Sequence, residues 1–141
     1  MVDYKTLVIG ASVNPNRYSY KVVLKLLDSG IKVIPMGINQ GNIADLVIVR
    51  PFEKQKNIHT VSIYITPEVQ KEYYKYIINL QPKRVLFNPG TENPIFSQIL
   101  QNQHKLLGFD PCQNLRKLFL RISLELIFLK LNCFHHLKQL N

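Results

Sequence analysis

A chain of 141 residues, 46% apolar and 19% charged, is long enough for one folded domain, too short for two ordinary ones and too apolar to be disordered. A net charge of +9 admits acidic partners such as phosphates, nucleic acid or anionic lipid without choosing among them. Two cysteines, Cys112 and Cys133, exclude a disulfide-dense secreted scaffold, and with no secretory leader before the first strand-like run a cytoplasmic location is expected.

In chain order, Lys5-Thr6-Leu7-Val8-Ile9 is an apolar run closed by Gly10, the pattern of a buried first strand. Residues 11–18 hold serine, two asparagines and Pro15, and form a loop. Ser19 is placed to cap a helix with Tyr20, Val23, Leu24 and Leu27 on its buried stripe, and Gly30 stops it. Ile31 to Pro35 forms a second strand, residues 37–41 a polar turn, and Leu46 to Val49 a short third strand. Val61 to Ile65 is a clearer strand, followed by Thr66-Pro67-Glu68, a helix start with an N-cap, a proline at the first position and an acid at the positive end of the dipole. Val69, Tyr73, Tyr76, Ile77 and Leu80 give this helix its stripe, with Tyr74 near the surface. Val85-Leu86-Phe87 is another strand, stopped by Asn88-Pro89-Gly90; Asn93-Pro94 opens a helix to about Gln103, and residues 106–109 form a last strand. Such alternation predicts right-handed crossovers and a doubly wound parallel α/β sheet of about five strands.

In sheets of this kind ligands sit beyond the carboxyl ends of the strands, where the strand order reverses. Three stretches feed that edge: residues 10–19, 35–37 and 88–93. Gly10-Ala11-Ser12 puts small side chains where backbone N–H groups can approach an anion, and the next helix aims its positive end at the same place. Ser12 and Ser19 add hydroxyls, and Arg17 a planar donor fork suited to phosphate. Residue types alone leave it open that Gly10 merely ends a strand and that Arg17 is a solvated surface residue. The dinucleotide fingerprint is absent, since Ser12 and Pro15 stand where its later glycines would be, and Pro35-Met36-Gly37 replaces the ribose-binding acid. No G-K-[ST] follows Gly10, so a nucleotide-triphosphatase loop is excluded as well.

Lys5 to Ser12 followed by Asn14-Pro15-Asn16-Arg17-Tyr18-Ser19-Tyr20 resembles the start of small stand-alone CoA-binding domain proteins, which are similar to the CoA-binding domain of the succinyl-CoA synthetase α subunit. The resemblance continues through Val33-Ile34-Pro35-Met36-Gly37 and Ile65-Thr66-Pro67-Glu68. It is strongest from Pro82 to Pro94, through Asn88-Pro89-Gly90-Thr91-Glu92. It implies a Rossmann-like domain over residues 1–112 that binds coenzyme A, an acyl-CoA or a related adenine nucleotide at the loop edge. Gly10, Ala11 and Ser12 would hold the pyrophosphate, with Arg17, Tyr18 and Ser19 beside it, and Pro35, Thr66, Asn88, Pro89 and Gly90 would line the site. The resemblance supports ligand binding more than catalysis.

Residues 113–141 depart from that family's usual ending. Leu115, Leu118, Phe119, Ile122, Leu126 and Leu129 fall at helical spacing, while the same stretch also alternates like a strand; length favours a helix. Arg121, Glu125 and Lys130 within it argue against a membrane span. Packing on the sheet, an amphipathic element for self-association into a homodimer or for a membrane surface, and a tail with no evolved role all remain open.

Other chemistry is weaker. Cys112, Cys133, His135 and His136 are metal-ligand types without a paired spacing, so no metal is expected. His59 and His104 stand alone in sequence. Glu92 is the one carboxylate expected near the site, as a general base if the protein is an enzyme, or more simply as an acid at a helix start. No basic–aromatic motif for RNA occurs, and the positive charge is spread along the chain, so nucleic acid is not the expected partner.

Overall fold

The structure is a computed structural model that describes residues 5–106. The extension at 113–141, the two cysteines, His135 and His136 lie outside the described residues.

The chain runs through β1 (Lys5–Ile9), α1 (Tyr18–Asp28), β2 (Lys32–Met36), a hairpin of β3 (Asn42–Ile43) and β4 (Leu46–Val47), β5 (Ile58–Ile63), α2 (Pro67–Leu80), β6 (Arg84–Phe87) and α3 (Pro94–Leu106). β2, β1, β5 and β6 form one parallel sheet in that order, flanked by helices, which is a Rossmann-like arrangement. Of the last strand expected at 106–109, Leu106 belongs to α3 and the rest lies outside the described residues.

Alternation along each strand feeds two cores. Leu7, Ile9, Val61 and Ile63 face Tyr73 and Ile77 of α2 and Phe96 and Leu100 of α3. Val8 and Val33 face the other side, where Val22 and Val23 of α1 pack with Ile43 and Ile48. The strands are thus buried on both faces, which is why they read as continuous apolar runs. The connection from β2 to β5 contains no helix. Instead Val49 donates its N–H to the Pro35 carbonyl at 2.9 Å and accepts from Gly37 at 3.1 Å, so an extended segment lies along the end of β2.

Both helix stripes differ in detail from the sequence expectation. α1 begins one residue before Ser19, with Arg17 at the N-cap and no side-chain cap, and Ser19 is buried within the helix instead of capping it. Its C-terminus closes as expected, with Ile31 donating to Leu26 across Gly30. In α2 the buried positions are Gln70, Tyr73 and Ile77, while Val69 is exposed. Tyr74 is not a surface residue: its ring stacks on Phe96 with centroids 4.0 Å apart.

Candidate functional site at the carboxyl edge of the sheet

Strand order reverses between β1 and β5, since the chain steps from β1 to β2 on one side and returns to β5 on the other. The crevice a ligand would use lies beyond these two strands, between residues 10–17 and residues 64–66. Gly10 sits at φ +91°, and a Cβ there would come within 2.9 Å of the Tyr64 carbonyl carbon and of Ile65 Cγ2. Only glycine allows the two loops to lie this close. On the other flank, a Cβ on Gly37 would run into the Ala11 carbonyl oxygen. The loop after β1 is therefore held between its neighbours on both sides.

Hydrogen bonds fix the same loop from within. The N–H groups of Gly10 and Ala11 both donate to the Met36 carbonyl at 2.9 Å. Those two amides are thus spent on the fold, although the family resemblance implies that they hold a pyrophosphate. Among the described residues, the Ser12 and Val13 amides have no partner. Ser12 Oγ accepts from the Asn14 amide at 3.2 Å, Asn14 Oδ1 from Asn16 at 2.9 Å, and the Asn14 carbonyl from Arg17 at 3.0 Å. This turn, with Pro15 at its second position, delivers Arg17 to the uncapped start of α1. Tyr18 is exposed, with Lys21 Nζ 5.7 Å from its ring centroid.

The third and fourth loops are joined by a buried polar network absent from the sequence expectation. Gln70 has no exposed surface; its Nε2 donates to the Ile65 carbonyl at 3.0 Å and to the Thr91 carbonyl at 2.8 Å. Its Oε1 accepts from Asn93 Nδ2 at 3.0 Å, and that same group donates to Tyr74 Oη at 2.8 Å. Asn93 Oδ1 accepts from the Phe96 amide at 3.0 Å, so Asn93 caps α3 as its sequence position predicts. Asn88 Nδ2 ties β6 to β5 through Ser62 Oγ at 2.9 Å and the Ile63 carbonyl at 2.8 Å. The Pro89-Gly90 turn closes by Thr91 donating to the Asn88 carbonyl at 2.9 Å.

Several expected residues are thereby gathered at one edge: Gly10, Ala11, Ser12 and Arg17 on the first loop, Thr66 at the start of α2, and Asn88, Pro89 and Gly90 after β6. Pro35 is fully buried inside β2 and Ser19 is buried in α1, so neither presents a side chain to solvent. Glu92 is exposed, and its Oε2 accepts the Gly90 amide at 2.8 Å, turning the carboxylate back on its own turn.

Two titrating groups sit among these loops. The Tyr64 hydroxyl is buried with no hydrogen-bond partner among the described residues. Burial pushes it up to about 12, while the nearby Ser62 hydroxyl acts the other way. The Glu68 carboxyl is held below its ordinary value, first by its own backbone amide and then by the Thr66 hydroxyl. The edge offers backbone amides, a helix N-terminus and one guanidinium, a donor set suited to an anionic ligand.

Known proteins agree with this architecture. Residues 4–114 match the CoA binding domain family. A solved structure of an uncharacterized protein is 39% identical, with 70% of this chain and 82% of that one covered and a TM-score of 0.69. A conserved hypothetical protein from Pyrococcus furiosus is 25% identical over 72% of this chain and 88% of its own, with a TM-score of 0.64. A protein from Thermus thermophilus, 17% identical over 72% of this chain and 78% of its own with a TM-score of 0.66, shares the fold. No curated protein gives a significant match. With most of its length matched and the parallel sheet in place, the chain belongs to the CoA binding domain family, a membership that supports coenzyme A binding in general.

Proposed function

We propose that the protein binds coenzyme A, or an acyl-CoA or adenine nucleotide, at the carboxyl edge of the sheet, and acts as a carrier, sensor or partner module. The observation that carries this reading is the pairing of two amides without a partner among the described residues, Ser12 and Val13, with the uncapped start of α1 and with Arg17 at its N-cap. Such a group of donors favours a pyrophosphate. The amides of Gly10 and Ala11 hold the loop through Met36, and Ser12, Val13 and the helix start meet the phosphates. The adenine lies over the sheet edge and the pantetheine arm runs outward past Thr66 and the Asn88-Pro89-Gly90 turn.

Calorimetric titration of the full chain with coenzyme A tests this. Saturable binding is expected. Arg17→Ala weakens it by roughly 1.5–3 kcal/mol through loss of a charge-assisted contact. Unchanged affinity in Arg17→Ala removes that residue from the site, and no binding at saturating coenzyme A overturns the reading.

A further inference from the structure

A second cluster lies at the opposite, amino-terminal end of the strands. In the pairing of β1 with β5, Lys5 faces Ile58 and Thr6 faces Thr60, so His59 is an extra residue, a bulge in a parallel ladder. Bulges in parallel pairs are rare, and they re-aim a side chain. Here the bulge brings the His59 ring onto the Thr60 hydroxyl, with Nδ1 2.9 Å from Oγ1. Arg84, the register partner of Thr60 on β6, donates its Nε–H to the same oxygen at 2.7 Å.

Thr60 is buried and Arg84 is half-buried. With Oγ1 accepting from Arg84, the Thr60 hydroxyl still has a proton to give to His59 Nδ1 in the tautomer that carries the ring proton on Nε2, and a second lone pair to accept from Nδ1–H in the other. Thr60 thus ties the guanidinium through Nε and leaves the two Nη groups outside that bond. Among the described residues, the guanidinium has no hydrogen bond besides the one to Thr60 and no carboxylate partner. A half-buried arginine with no counter-ion among the described residues is costly, and here the positive field is also felt by its neighbour. His59 is held below its ordinary value by burial, then by Arg84, then by Lys83.

We propose that Arg84, aimed by Thr60 and the bulged His59, forms an oxyanion-binding site at the amino-terminal edge of the sheet, distinct from the coenzyme edge. The Nη pair is a planar fork suited to two oxygens of one phosphoryl or carboxylate group. The occupant is a small oxyanion, and its source is read by comparing a phosphate with a carboxylate.

The test is an NMR titration of the full chain with inorganic phosphate and, separately, with acetate at matched ionic strength, following the Arg84 Nε–H and His59 ring signals. Saturable shifts at millimolar concentrations are expected for at least one of them, and the tighter one identifies a phosphoryl or a carboxylate source. Arg84→Gln weakens that binding on the order of tenfold or more, while Arg17→Ala leaves it unchanged. Should Arg84→Gln fail to fold, Arg84→Lys keeps the charge but not the fork, and the same weakening is expected. Shifts that never saturate, that chloride reproduces at equal ionic strength, or that persist at full strength in the Arg84 variants overturn the site.

Discussion

Gln70 has the largest structural role of any polar residue near the carboxyl edge of the sheet, because one buried amide joins the loops after β5 and β6. Gln70→Leu keeps most of the volume but leaves the Ile65 and Thr91 carbonyls and an Asn93 donor unsatisfied. A loss of roughly 1–3 kcal/mol is expected in urea unfolding, with an unchanged slope. Tyr64 is the opposite case. Its hydroxyl is buried with no hydrogen bond of good geometry among the described residues, the Ser62 hydroxyl being near it without making one, so Tyr64→Phe removes a desolvation cost and is expected to stabilise by roughly 1 kcal/mol. A lower urea midpoint in that variant would mean that the hydroxyl has a partner after all. His59 gives a pH signature. Its folded-state value lies below the ordinary 6.5, so the unfolded chain binds the proton more readily. Stability from this group is present above that range and is lost as pH falls through it. His59→Gln is expected to flatten the decline in urea midpoint between about pH 7.5 and about pH 5.5.

At the scale of elements, the loop after β1 is held by contacts that no single element contains. Gly10 meets the loop after β5, and Ala11 meets Gly37 after β2. Gly10→Ala both strains a positive φ and drives a methyl into the Tyr64 backbone; a loss of roughly 1–3 kcal/mol is expected in the same unfolding assay. It should weaken coenzyme binding as well, because the Ser12 and Val13 amides are displaced together with the loop. The helices show how far local patterning reaches. Asn93-Pro94 and Thr66-Pro67 mark the starts of α3 and α2, Asn93 with a side-chain cap and Thr66 at the N-cap without one, because helix starts are a local matter of residue type and proline geometry. The stripe of α2 was legible only in part. Tyr73 and Ile77 are buried as their spacing indicates, but Gln70 displaces Val69 from the core. A glutamine with three partners from other elements looks, in sequence, like any surface glutamine.

For the whole molecule, ligand binding and folding are linked. A ligand that binds only the folded protein stabilises it by mass action, by about 2.7 kcal/mol at a hundred times its dissociation constant. A rise in melting temperature with coenzyme A concentration is therefore expected, and it should be reduced in Arg17→Ala at equal ligand. Among the described residues no helix is long and apolar enough to cross a membrane.

Alternating apolar runs, glycine stops and proline starts determined the strands, the helices and a parallel α/β sheet, because each depends on a few neighbouring residues. They also brought out Gly10 and Arg17, through the loop that follows a buried strand. Tertiary structure alone decided which donors remain available there. The Gly10 and Ala11 amides, open by sequence, are taken by a carbonyl on the adjacent strand. It alone decided, too, that Gln70 is core and that His59 bulges onto Thr60 beside Arg84. The physical reason is the same throughout. A hydrogen-bonding group's role is settled by where its partner lies, and these partners are distant in the chain.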